Sequence, residues 1–278
     1  MEKMLVIVFN DEQKAYEGSD ALTELDSEGD IALYAEAIIQ KNMLGKVKVV
    51  KESDDLPVRT AGGTAIGALI GLLEGGVAGE GAGAVAGSYA GAMADMNHAG
   101  VDAEFLDEVS AKLKRGKWAV VADVSEDRER PVDKRMEAIG GTVVRTARRE
   151  VEQEQYAKEV AGTKDDINKQ KEEKDKASPS EKGKIQKKID DLKKKMHAKQ
   201  EHAKERSKQE QSEAKSKIES LKKKAAKAKS DEKAKFEAWK DEIKKKSDKS
   251  KETSDKLQQE GTDQQGQGKD AQPTSSAS

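Results

Sequence analysis

Hydrophobic and polar positions along the first 150 residues fall into short, distinct rhythms. Met4–Phe9 is an apolar, β-rich run closed by Asn10-Asp11, which predicts a buried strand. Asp11 can cap a following helix, and Glu12 suits its first turn, where negative charge faces unpaired amides. Ala15, Gly18, Leu22 and Leu25 then share one helical face, and Gly29 is a natural stop. Ile31, Leu33, Ala35, Ala37 and Ile39 alternate as a half-buried strand. Asn42–Gly45 turns the chain, and Lys46–Glu52 returns with Val47 and Val49 facing inward, which predicts a β-hairpin. Further on, Phe105, Leu106, Val109 and Leu113 stripe a helix ending at Gly116. Trp118, Val120, Ala122 and Val124 alternate as a strand. A helix opens at Pro131 with Val132, Met136 and Ile139 inside, Gly140-Gly141 ends it, and Thr142–Ala147 is a last short strand.

Between these halves lies a different pattern, from Ala61 to Met96. Gly63, Gly67, Gly71, Gly75, Gly79, Gly83, Gly87 and Gly91 recur at every fourth position, with Ala, Ile, Leu and Val between them. On a helix such glycines leave a groove into which another helix can pack closely. Each costs up to ~1 kcal/mol relative to alanine in a helix, so the fixed spacing predicts a packing use. The segment divides near Glu74-Gly75-Gly76 into arms of 61–73 and 77–94. The first arm is about 20 Å long, against a hydrocarbon core of ~30 Å. Glu74 and Glu80 would sit mid-membrane in a single straight span. A helical hairpin with both glutamates near its tip fits better.

The resulting fold class is α+β, a ferredoxin-like β-α-β-β-(glycine-rich helical hairpin)-α-β-α-β domain over residues 1–150, with the insertion at 61–96. The strand order stays open at this level. Residues 151–247 read as a charged helical, coiled-coil-like tail. Tyr156, Val160, Thr163 and Ile167 are spaced four, three, four, as are Ile185, Ile189, Leu192 and Met196. Ser178-Pro-Ser-Glu181, at a break near 177–180, has capping-box spacing with Pro179 at the first helical position. Ile218, Leu221, Ala225 and Ala228 keep the rhythm, and Phe236, Trp239 and Ile243 form a last apolar patch. The lysine runs 193–195, 222–224 and 244–246 read as solvated helix surface. Residues 248–278, rich in Ser, Gln and Gly, read as disordered.

Charge sharpens this division. Residues 1–150 hold 18 Lys/Arg and 27 Asp/Glu, net −9, whereas residues 151–278 hold 34 and 27, net +7, giving −2 in all. Cysteine is absent, which excludes disulfides, thiolate metal sites and a thiol nucleophile. His98, His197 and His202 are the only histidines, and the last two are five apart, off the i, i+4 spacing of a helical metal pair. Asp54-Asp55 reads as a polar loop. No nucleophile elbow and no phosphate-binding Gly-Lys-Ser/Thr motif is present, so no catalytic, cofactor-binding or metal site is predicted. Nucleic acid is not the expected partner, because acids interleave with the lysines and aromatics are few.

Several segments together resemble one bacterial family. They are Gly29-Asp-Ile-Ala-Leu-Tyr34, Gly45-Lys-Val-Lys-Val-Val50, the glycine insertion, Ala99-Gly-Val-Asp-Ala-Glu-Phe-Leu-Asp-Glu108 and Met136-Glu-Ala-Ile-Gly-Gly-Thr-Val143. Over residues 3–150 the chain resembles the domain-of-unknown-function family 1269 (DUF1269), whose members are often labelled as membrane proteins. The resemblance implies a prokaryotic source and membrane association, and it supplies no activity or functional residues. The expectation is a non-enzymatic structural or interaction protein. It would self-associate as a homo-oligomer or contact a membrane surface or bilayer through the eight zipper glycines, in the cytoplasm at the inner face of the cell membrane. Its tail would serve as a helical spacer or a protein-binding arm. The alternatives are a stress-protective protein acting through the charged tail and a ferredoxin-like small-ligand or regulatory domain.

Overall fold

In the computed structural model, residues 1–52, 64–75, 100–148 and 151–266 are described. They form five strands, β1 (Glu2–Phe9), β2 (Ile31–Lys41), β3 (Val47–Glu52), β4 (Trp118–Glu126) and β5 (Thr142–Ala147). The helices are α1 (Glu12–Ser27), α2 (Thr64–Gly75), α3 (Ala103–Lys112), α4 (Arg130–Ile139), α5 (Val151–Lys176), α6 (Pro179–Lys227) and α7 (Ser230–Gly266). They divide into two units, one of Met1–Val151 with Ser212–Lys245, the other of Glu152–Gln211 with Lys246–Ser278.

In the first unit the strands make one antiparallel sheet in the order β3-β2-β4-β1-β5. β4 is buried along its whole length, as befits a central strand with helices over both faces. Side chains alternate between two cores because successive Cβ atoms point to opposite faces. Leu5, Ile7, Phe9, Val120 and Ala122 face α1 and α4, and Met4, Val6, Val8, Ala119 and Val121 face α2 and α3. The expected caps form. The Asp11 side chain accepts from the Lys14 amide at 2.9 Å, and Gly29 (φ +73°) turns the chain after α1. The α3 stripe is as predicted, but the helix stops at Lys112 and Leu113 caps it. Gly116 (φ +81°) belongs to the following turn.

Strand β2 carries a bulge between Leu33 and Ala35. Leu33 packs on the α1 side, while Tyr34 and Ala35, consecutive residues, both lie on the other side, which a regular strand forbids. Tyr34 and Ala32 there meet Ala214, Leu221, Ala225, Phe236, Trp239 and Ile243. Residues 212–245 are therefore part of this unit. α2 and α3 cover one half of that sheet face, and the ends of α6 and α7 cover the half at the start of β1.

In the second unit Val160, Ile167, Ile189, Met196, Ala203 and Leu257 form the apolar cluster, with Tyr156, Ile185 and Leu192 beside it. The apolar four-three-four positions of α5 and α6 up to Met196 lie in this cluster, whereas the Thr163 hydroxyl donates to Glu159 O at 2.8 Å. At the break, Glu181 accepts from both the amide (3.2 Å) and hydroxyl (2.6 Å) of Ser178, half of the expected capping box. The expectation of disorder from residue 248 is corrected in part, since α7 continues to Gly266. The physical reason is a single apolar anchor among polar residues. Leu257 is buried, and its carbonyl accepts from the buried Gln200 side chain at 2.7 Å. Residues 267–278 lie outside the described residues.

Candidate functional site

α2 is the described portion of the glycine segment. Ala65, Ile66, Leu69, Leu72 and Leu73 bury one face of it against the sheet. Gly71 is exposed, and a Cβ built there would meet nothing within 4 Å among the described residues. Gly67, four residues earlier, is half-buried, and Glu74 is exposed, beside Gly75 at the helix end. Gly63, Gly79, Gly83, Gly87 and Gly91 lie outside the described residues, as do Asp54, Asp55, Glu80 and His98. Among the described residues no helix is long and apolar enough to cross a membrane.

The end of the sheet under residues 212–245 holds a feature no sequence motif announced. Lys217 is 1% exposed. Its ammonium stands 2.6 Å from Glu2 Oε1, 2.8 Å from Asp123 Oδ2 and 2.9 Å from Glu213 Oε1. The Arg148 guanidinium pairs with Asp123 Oδ2 at 3.0 Å and with Glu213. Lys217 also sits 4.9 Å from the centroid of the Tyr34 ring, whose hydroxyl donates to Ser125 Oγ at 2.9 Å. Three carboxylates thus face two cations in a buried layer. Burial pushes the Asp123 carboxyl up, and Arg148 and Lys217 offset this only in part. Burial and Arg148 push the Lys217 ammonium down, but the three carboxylates outweigh them and hold it above the ordinary lysine range. Glu213 is held low, because the two cations and their hydrogen bonds exceed the cost of its burial. Among the described residues Asp123 Oδ1 and Arg148 Nε have no hydrogen-bond partner, a cost that the cluster carries.

A second ionic group lies on the opposite face. Glu126, buried, stands 3.2 Å from both Lys3 Nζ and Arg145 Nε, and Lys3 also donates to Glu129 at 2.7 Å. Burial raises the Glu126 carboxyl above its usual range despite these cations. Glu36 is a third buried acid among the described residues, accepting from Ser19 Oγ at 2.7 Å while its Oε2 has no partner among them. Burial pushes it up as well. A cleft of about 830 Å³ opens nearby between α1, the start of β2 and residues 216–236, lined among others by Asp26, Glu36, Lys223 and Lys224. Lys224 is paired with Asp26 across it, and the lining charges are of mixed sign. Among the described residues no group of three His, Cys, Asp or Glu side chains could hold a metal ion. His202 Nδ1 lies 2.8 Å from the Tyr156 hydroxyl.

The sequence did carry a signal for the Lys217 cluster. Lys217 falls three after Ala214 and four before Leu221, inside an apolar stripe. Asp123 and Ser125 extend the inward-facing series Ala119, Val121 of a fully buried strand. Polar residues at core positions need partners.

Residues 60–161 match the family described as "Protein of unknown function (DUF1269)", the same family that the quoted motifs resemble. It runs from the glycine segment through α3, β4, α4 and β5 into α5. No curated protein and no solved structure matches the chain.

Proposed function

We propose that this DUF1269-family chain is a non-enzymatic interaction protein whose glycine-zipper segment, Gly63 to Gly91, self-associates or lies against a membrane. The orientation of α2 carries this reading. Its large apolar residues are spent on the sheet, while Gly71 is exposed and a Cβ built there would meet nothing within 4 Å among the described residues. A helix anchored on one face and smooth on the other suits close packing of a second helix. The core reads as a split β-α-β-β-α-β unit of ferredoxin-like kind, made of β1-α1-β2 and β4-α4-β5, with β3, α2 and α3 inserted. The order β2-β4-β1-β5 and the shared face of α1 and α4 support this. The spacing of the second unit's apolar cluster supports a coiled-coil-like bundle there. The burial of Lys217 counts against a wholly solvated, stress-protective tail.

Substitution tests the proposal better than deletion, because removing the whole segment would also take Ile66 and Leu69 out of the core. The double variant Gly67→Leu/Gly71→Leu fills the smooth face and, if anything, favours the helix by up to ~1 kcal/mol per site. Sedimentation velocity and vesicle flotation of the full chain should show wild-type assembly or lipid binding that the variant lacks. A wild type that is monomeric and lipid-free, or a variant that behaves as the wild type, refutes the proposal.

A further inference from the structure

The turn joining β2 to β3 is the most exposed apolar point among the described residues. Met43 and Leu44 are 73% and 81% exposed, and besides Met1 they are the large hydrophobics left open there. The turn is stiff. Asn42 Oδ1 accepts from the amides of Leu44 (2.9 Å) and Lys46 (3.0 Å), the Asn42 amide bonds Lys46 O at 2.9 Å, and Gly45 takes φ +83°. An Asx-type turn of this sort holds its two central side chains outward.

A second loop lies against it. Gly116 N donates to Lys41 O at 2.7 Å, and Lys41 N donates to Lys117 O at 3.0 Å. A Cβ on Gly116 would be 3.4 Å from Met43 Sδ, and one on Gly45 3.6 Å from Arg115 Nε. The two loops, 41–48 and 112–117, hold seven Lys/Arg and no Asp or Glu, although residues 1–150 as a whole contain 18 Lys/Arg and 27 Asp/Glu. Lys112 is paired with Glu108 at 2.8 Å, and Lys117 donates to the neutral Asn10. Lys46, Lys114 and Arg115 are exposed and carry no ion pair among the described residues.

We propose that this tip docks on an anionic lipid surface. Met43 and Leu44 enter the headgroup layer while Lys46, Lys114, Arg115 and Lys117 meet lipid anionic groups around them. An exposed apolar pair beside cations that have no ion pair among the described residues matches such a surface on both counts, apolar burial and charge. It suits a nucleic acid less well, since the point of the patch is aliphatic and holds one arginine and no aromatic residue. The inference does not use the glycine stripe and stands whether or not that stripe assembles.

The test is co-sedimentation of the full chain with vesicles of phosphatidylcholine containing phosphatidylserine, against phosphatidylcholine alone, at low and high salt. Binding should require phosphatidylserine and weaken with salt. Met43→Ser/Leu44→Ser should lower the partition coefficient about tenfold or more, as burial of two such side chains is lost. Lys114→Glu/Arg115→Glu should lower it by at least about twenty-five-fold, at roughly fivefold for each of the two positive charges lost. All four side chains are exposed, so circular dichroism should be unchanged. Gly67→Leu/Gly71→Leu serves as the control that separates the two surfaces. The proposal is overturned by absence of binding, by equal binding to neutral vesicles, by loss only in the glycine variant, or by tip variants that bind as the wild type does. Binding to duplex DNA without binding to vesicles also overturns it.

Discussion

Replacing Lys217 with methionine keeps the aliphatic stem and removes the one ammonium among Glu2, Asp123 and Glu213. The three carboxylates lie within 2.6–2.9 Å of that nitrogen. Arg148 would then face them alone, taking the formal charge of the cluster from −1 to −2. Removing one partner from a buried ionic group costs about 3–5 kcal/mol, because the remaining charges stay desolvated. An exposed lysine of the same helix, Lys215, supplies the control and should change stability by no more than about 0.5 kcal/mol. The pH dependence has a definite sign. Asp123 already has its carboxyl raised by burial, and Lys217 is one of two cations that lower it. Without Lys217 it rises further. A carboxyl raised in the folded state favours folding below its unfolded pKa, and that contribution is lost as pH rises through the folded value. The deficit of Lys217→Met should therefore be larger at pH 8 than at pH 5. Urea unfolding reads the stability. Trp239, 3% exposed with its indole N–H donating to Asp127 Oδ1 at 2.7 Å, reports by fluorescence whether residues 212–245 stay in place. Asp123→Asn on top of Lys217→Met should restore a large part of the loss, since the cluster returns to −1. The reasoning fails if Lys217→Met matches Lys215→Met at pH 8, or if its deficit shrinks as pH rises.

Other positions give independent checks. A Cβ on Gly18 would stand 2.3 Å from the Phe9 ring, so Gly18→Ala should destabilise by about 1–3 kcal/mol, and Phe9→Leu in the same chain should recover part of it. Thermal unfolding of the single and double variants decides this, and equal stability of wild type and Gly18→Ala speaks against it. Glu36 is buried and raised, so its contribution to stability is present below the ordinary carboxylate range and fades as pH rises through its folded value. Glu36→Gln should accordingly gain on wild type by about 1 kcal/mol at pH 8 and not at pH 4, and a gain independent of pH counts against a titrating Glu36. The glycine double variant should lose assembly or lipid recovery while keeping its fold, and the tip variants should lose binding to phosphatidylserine vesicles alone.

Local chemistry made most elements legible. The Asp11 cap, the positive-φ glycines at 29, 45, 116 and 140, and the alternation of β1, β2 and β4 are properties of neighbouring residues, and they placed the strands and helices of residues 1–150. The four-three-four spacing likewise picked out the residues that meet in the second unit. The Met43-Leu44 turn was legible as a turn, while its basic surroundings come from residues some seventy positions away that the sheet brings alongside.

Strand order, the roles of 212–245 and the extent of α7 belong to tertiary structure. Which strand lies beside β1 depends on long-range pairing, and the period-two pattern is the same for any neighbour. Within residues 212–245 the lysine runs read as solvated, and the apolar positions between them name no partner. Beside the local Glu213, only the fold brings Glu2 and Asp123, far away in sequence, to Lys217 as further buried counter-charges. The sequence by itself determined the elements and the unusual glycine spacing. Tertiary structure decided which face of α2 the glycines occupy, because burial is settled by what the sheet offers, and the sheet took the leucines and isoleucines.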